Sequence, residues 1–214
     1  AVSVRMRRRL GDSLRYIFDS AEGHLGSSRA EMDAFLARLA LGPVSPLVFG
    51  AYCDLVLALG ADALDEARRL LAEITAAPDP PPRPAVIDLG DRARDIAADR
   101  YRRLVDTDVD MPCTILPPPA EDAARMRSLL AGAFALIDAG NPALADEIRI
   151  IVREIVLASC AEDARSGQFE GASSFMLWGA VVLNVSGYAT VLDMVQALAH
   201  ESGHNLLFGL CAHG

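Results

Sequence analysis

The chain has 214 residues, 52% of them hydrophobic and 23% charged, which suits one globular domain, or one with a small subdomain, and excludes a disordered chain. With 29 acidic against 20 basic residues the net charge is -9, which argues against a general polyanion binder such as a nucleic-acid protein. No apolar run approaches the ~18 residues needed to cross a bilayer, so no membrane partner is expected.

Cys53, Cys113, Cys160 and Cys211 are scattered, with no CxxC pair and no secretory signal ahead of them. Each is expected as a reduced core residue in a cytoplasmic protein. Cys211 stands seven residues after His204, roughly two helical turns on, where core packing is the plainer reading and metal ligation the sharper one. The chain begins at Ala1 without a methionine and stops ten residues after His204, so processing or a longer parent protein is expected.

In chain order, residues 1 to 20 open with Arg5, Arg7, Arg8 and Arg9, after which Leu10, Leu14, Ile17 and Phe18 recur at helical spacing. Asp12 and Asp19 dilute the charge, so a solvated face is expected rather than a membrane-surface helix. Residues 22 to 28 read as a loop, and His24 within it as a solvated histidine. Met32, Phe35, Leu36 and Leu39 give a second helix over 29 to 41, closed by Gly42-Pro43. Two more apolar segments follow, over 47 to 59 and 62 to 74. Pro78-Asp79-Pro80-Pro81-Pro82-Arg83-Pro84 then makes an extended spacer.

Ala85 to Leu89 reads as a short strand. A charged helix is expected from Asp91 to about Val105, with Ile96, Tyr101 and Leu104 inward. Asp106, Asp108 and Asp110 alternate without the glycine and terminal glutamate of a calcium loop, which discounts that site. Met111 to Leu116 is strand-like, and 121 to 139 helical. Asn141-Pro142 supplies a cap and first-turn proline for a central helix whose expected buried face is Leu144, Ile148, Ile151, Val152, Ile155 and Val156. Ser166 to Ser174 is polar and glycine-bearing, a loop. Leu177 to Val185 is the clearest strand, and Thr190 with Asp193 three residues on resembles a capping box that opens the last helix.

That helix carries His200-Glu201-Ser202-Gly203-His204, the HExxH pattern. An i,i+4 spacing puts the two imidazoles on one face, able to reach one metal ion, with Glu201 about 100° round the helix. The same residues serve two chemistries. In a zinc hydrolase Glu201 is the general base of a metal-bound water, whereas a non-haem iron oxygenase needs two histidines, one carboxylate and open positions. A three-position pattern also arises by chance; the capped amphipathic helix, the preceding strand and the presence of only four histidines favour a metal site here. Leu207 and Leu210 replace the glycine and histidine of the metzincin extension, and no acid follows Glu201 to complete a gluzincin site. His213 and upstream acids such as Glu170 remain open as third ligands.

Gly179-Ala180-Val181-Val182-Leu183-Asn184, followed by Leu198-Ala199-His200-Glu201-Ser202-Gly203-His204-Asn205-Leu206-Leu207-Phe208, resembles the bacterial HExxH-motif peptide-modification family over about residues 171 to 210. The resemblance implies a 2-oxoglutarate-dependent peptide β-hydroxylase acting on ribosomally made precursor peptides. It implies His200 and His204 as ligands of Fe(II) and leaves Glu201 as the motif glutamate, ligand or supporting residue. The family continues well past the motif, so the third ligand and the 2-oxoglutarate-binding residues are not assigned in this chain.

The expected fold is α+β, predominantly helical with a small sheet and a metal-binding strand-helix unit near the C-terminus. The expected division is a helical part over 1–77 and a part over 85–214 that carries the motif. The expected function is iron- and 2-oxoglutarate-dependent hydroxylation of a peptide, with metal ligands His200 and His204 and Glu201 at the catalytic centre. A zinc metallopeptidase with Glu201 as base, or a non-catalytic peptide-binding module, is the alternative. Extended peptide substrate is expected to add along the edge of the Leu177 to Val185 strand.

Overall fold

A computed structural model describes residues 2–21, 23–92, 96–105, 114–161 and 169–212, the side chains of 91, 92, 96, 104 and 105 excepted. The chain forms two compact units, 1–80 with 209–214, and 81–208. The fold is α+β and mostly helical.

Unit 1 holds helices α1 (Val2–Ser20), α2 (Arg29–Leu41), α3 (Pro46–Gly60) and α4 (Leu64–Ala76). Met6, Leu10, Leu14 and Phe18 repeat every four residues on α1 and are all buried. Helix α2 comes close at Gly11, where a Cβ would stand 3.3 Å from Leu39 Cδ2. Ser28 starts α2 with a reciprocal cap: its hydroxyl accepts from the Glu31 N–H while its own N–H donates to the Glu31 carboxylate at 2.7 Å.

Unit 2 is built on strands β1 (Ala85–Asp88), β2 (Ile115–Leu116), β3 (Glu154–Cys160), β4 (Gly171–Ala172) and β5 (Ala180–Asn184). The main sheet runs β1-β3-β5-β4, with β2 pairing antiparallel to β3. β1, β3 and β5 are parallel, and β4 lies antiparallel on β5 through Gly171↔Leu183 and Ala172↔Val182. Helices α5 (Ile96–Val105), α6 (Ala120–Gly140), α7 (Pro142–Ile151) and α8 (Val191–Cys211) complete the chain. Ile155 and Leu157 of β3 and Val181 and Leu183 of β5 share one core with Met126 and Leu130 of α6, Ile148 of α7 and Met194 and Leu198 of α8. Among the described residues no helix is long and apolar enough to cross a membrane.

Three expectations are corrected. The helix read through Val156 ends at Ile151, and Ile155 and Val156 belong to the central strand β3. The β-branched run suits a strand buried on both faces, which presents no alternation to betray it. The strand expected over 177 to 185 is shorter, because Phe175–Leu177 forms a 3-10 turn ahead of it. β5 is also an interior strand between β3 and β4, with all five residues buried. An added peptide therefore finds its edge already paired. Cys160 departs too: it is disulfide-bonded, whereas Cys53 and Cys211 are not in disulfides, Cys211 being exposed. Cys113, the aspartates 106, 108 and 110, and His213 lie outside the described residues, as do the side chains of Ile96 and Leu104.

Candidate functional site

Helix α8 is fixed at its start by the cap read from sequence. The Asp193 carboxylate accepts from the Thr190 N–H at 2.9 Å and the Ala189 N–H at 3.2 Å, while Thr190 Oγ1 accepts from the Asp193 N–H at 3.2 Å. These bonds hold the Asp193 carboxyl below its ordinary range. The turn before the helix is clamped from α6: Arg125 donates to the Tyr188 carbonyl at 2.7 Å and to the Val185 carbonyl.

Further along, Asn205 ties α8 to the sheet. Fully buried, it accepts the Gly179 N–H at 2.7 Å and donates to the carbonyls of Ala180 and Glu201 at 3.2 Å, while its own carbonyl accepts from the Trp178 indole at 2.8 Å. Sequence reasoning missed Asn205. Its signal is position: with Leu198 and Glu201 it continues a buried stripe at three- and four-residue spacing, where a polar residue must find partners.

The motif residues divide between two faces of this anchored helix. His200 is exposed and His204 half-buried; their Nε2 atoms stand 3.0 Å apart with ring planes at 87°. That spacing is compatible with both nitrogens lying the ~2.0–2.1 Å from one ion that imidazole ligands adopt. It equally suits one imidazole donating to the other, in opposite tautomers. Among the described residues no group of three His, Cys, Asp or Glu is placed to hold one ion. Two ligands fit a metal, and a third is not among them. His24 belongs to unit 1, where its carbonyl accepts from Arg68.

Glu201 turns inward. It is 5% exposed, and its Oε2 accepts from the Ser173 hydroxyl at 2.6 Å. Its Oε1 lies over Gly171, where a Cβ would come within 2.7 Å of it and within 3.0 Å of the Tyr188 hydroxyl. Only the missing side chain at Gly171 gives these two oxygens room. Burial pushes the Tyr188 phenol well above its ordinary range, and the Glu201 and Glu170 carboxylates add to the effect. Gly171, Ser173 and Tyr188 lie in segments whose composition reads as loop or turn.

A cavity of about 360 Å³ opens beside this group. One wall is the α8 stripe Asp193, Gln196, Ala197, His200 and Glu201, and facing it are Glu170, Gly171, Gly187 and Tyr188. Among the described residues this lining has three carboxylates and no arginine, and those residues do not fit the dianion 2-oxoglutarate, which needs a cation or a set of N–H donors. They do suit a neutral, hydrogen-bonding group. No protein-family model matches the chain, and no curated protein matches it.

Proposed function

We propose that this chain carries the metal-binding part of an iron- and 2-oxoglutarate-dependent oxygenase that hydroxylates a side-chain β-carbon of a ribosomally made peptide. The observation that supports it is the division of labour on α8. Two imidazoles face outward 3.0 Å apart, while the motif carboxylate is buried and held by Ser173. A hydrolase asks that carboxylate to take a proton from water, whereas an oxygenase asks the protein to orient substrate and exclude water. Ferrous iron with 2-oxoglutarate, when bound, would let dioxygen act as the oxidant, one oxygen atom going to the peptide carbon as hydroxyl and the other to 2-oxoglutarate, which would leave as succinate and carbon dioxide. His200 and His204 would hold the ion on a helix anchored by Asn205, and Glu201 would brace the cavity wall. The peptide would enter the cavity; the co-substrate would bind outside that lining. Cytoplasmic location belongs to the same reading, and the Cys160 disulfide is the feature that pulls against it.

A second reading, a zinc peptidase, draws on a separate observation: Glu201 and His200 line one cavity, as a base and a metal ligand must. Anaerobic purification with metal analysis separates the two. Iron with succinate formed from 2-oxoglutarate in a peptide-dependent manner supports the oxygenase. Zinc with peptide cleavage replaces it. Peptide binding unchanged in a metal-free His200→Ala/His204→Ala protein leaves a non-catalytic module.

A further inference from the structure

The Tyr188 hydroxyl and Glu201 Oε1 meet over Gly171 with their hydrogen-bonding capacity unused. Tyr188 is 7% exposed and Glu201 5%, both line the cavity, and among the described residues no hydrogen bond reaches either atom. Neither is an orphaned buried atom: both open onto the cavity, where water can reach them, so both are available to a ligand group that takes the place of that water. The two differ in kind. Kept protonated by burial and by the carboxylates of Glu201 and Glu170, the phenol is a donor. The carboxylate oxygen is an acceptor. One donor and one acceptor side by side are complementary to a planar group that shows a carbonyl oxygen and an N–H on the same edge.

We infer that Tyr188 and Glu201 bind a primary carboxamide, the side chain of an asparagine or glutamine in the peptide, with its oxygen on the Tyr188 hydroxyl and its N–H on Glu201 Oε1. A backbone amide is a poorer match, because its trans geometry points oxygen and N–H in opposite directions. A carboxylate of the same shape offers no N–H and meets Glu170 and Glu201 as like charges. An ammonium group would be attracted by the carboxylates but leaves the Tyr188 donor without an acceptor. This inference rests on the reading of the cavity as a peptide site, and not on the identity of the metal or on turnover.

The test is binding. N-acetyl-Ala-Asn-Ala methylamide is titrated into the full chain carrying ring-labelled tyrosine, beside its Asp, Leu and Lys counterparts. The chain has four tyrosines, so the resonance lost in Tyr188→Phe identifies Tyr188 directly. The expected result is a saturable shift of the Tyr188 signal and a three- to tenfold preference for the Asn peptide over the Asp and Leu peptides. That preference disappears in Tyr188→Phe, which removes only an unpartnered hydroxyl and leaves thermal stability and metal content unchanged. Gly171→Ala, whose methyl group enters between the two oxygens, loses the preference as well. An unmoved Tyr188 signal, an Asn preference that survives Tyr188→Phe, or tighter binding of the Lys peptide overturns the assignment. Absent metal with the Asn preference intact sinks the oxygenase reading alone; metal and turnover without that preference sink this inference alone.

Discussion

Asn205 carries more of the site than either histidine does. Its carboxamide joins α8 to Gly179 and Ala180 at the start of β5, and its side-chain N–H also reaches Ser173 at 3.3 Å. Asn205→Ala would orphan the buried Gly179 N–H and lower stability by about 2–3 kcal/mol, read as a reduced urea midpoint at constant m. Histidine replacement is a different kind of change. His200→Ala and His204→Ala remove rim side chains and should leave stability nearly unchanged while abolishing metal binding by titration. An equal loss of stability in all three variants would show the histidines to be structural. Tyr188 adds a pH signature. The folded state holds its proton above the ordinary phenol value of about 10, whereas the unfolded chain releases it there. Stability present below that pH is therefore lost as pH rises through and above it. Chemical denaturation between neutral and alkaline pH should show this fall in the parent and a shallower one in Tyr188→Phe.

At the scale of elements, the sequence signals that survived into the structure are those made by neighbours along the chain. Thr190 with Asp193 opens α8, and Asn141 Oδ1 accepts the Leu144 N–H at 3.1 Å to open α7, both as their spacing implies. The i,i+4 histidines face the same way because a helix leaves them no alternative. Signals made across the chain were not legible. β3 hid inside an apparent helical stripe, since a strand buried on both faces loses its period of two. Ser173 and Tyr188 meet Glu201 only because β4 lies on β5 and the following turn is clamped by Arg125, a pairing with no local signature. The Asp193 cap predicts a second pH effect, of opposite sense. Its carboxyl is held below the ordinary aspartate value of about 3.9, so the contribution is present above that pH and lost as pH falls through it. Hydrogen exchange at the first turn of α8 should accelerate in acid before the rest of the helix, and Asp193→Asn should show the fast exchange already at neutral pH.

On the scale of the molecule, the helical composition and small sheet were readable from hydrophobic periodicity, whereas the strand order was not, because parallel neighbours are far apart in sequence. The buried stripe of α8 packs on the β3–β5 core through Met194 and Leu198, neither of which is a motif histidine. A metal held there is expected to add to stability by mass action without being required for folding. Chelator should bring the melting temperature down to that of the metal-free protein, with helical circular dichroism retained. Collapse of the helical signal on chelation would show instead a site coupled to folding, as in small zinc domains.

The parallel pairing of β1 with β3 also sets a schedule for synthesis. Asp88 ends β1 and Glu154 begins β3, so a ribosome working at about 5–20 residues per second leaves β1 without its neighbour for roughly 3–13 s. β5 and then α8 follow, each docking on strands already laid down. The histidine pair is thus among the last features to acquire its surroundings, and nascent chains stalled before Trp178 and Gly179 would hold neither the anchor for Asn205 nor the cavity.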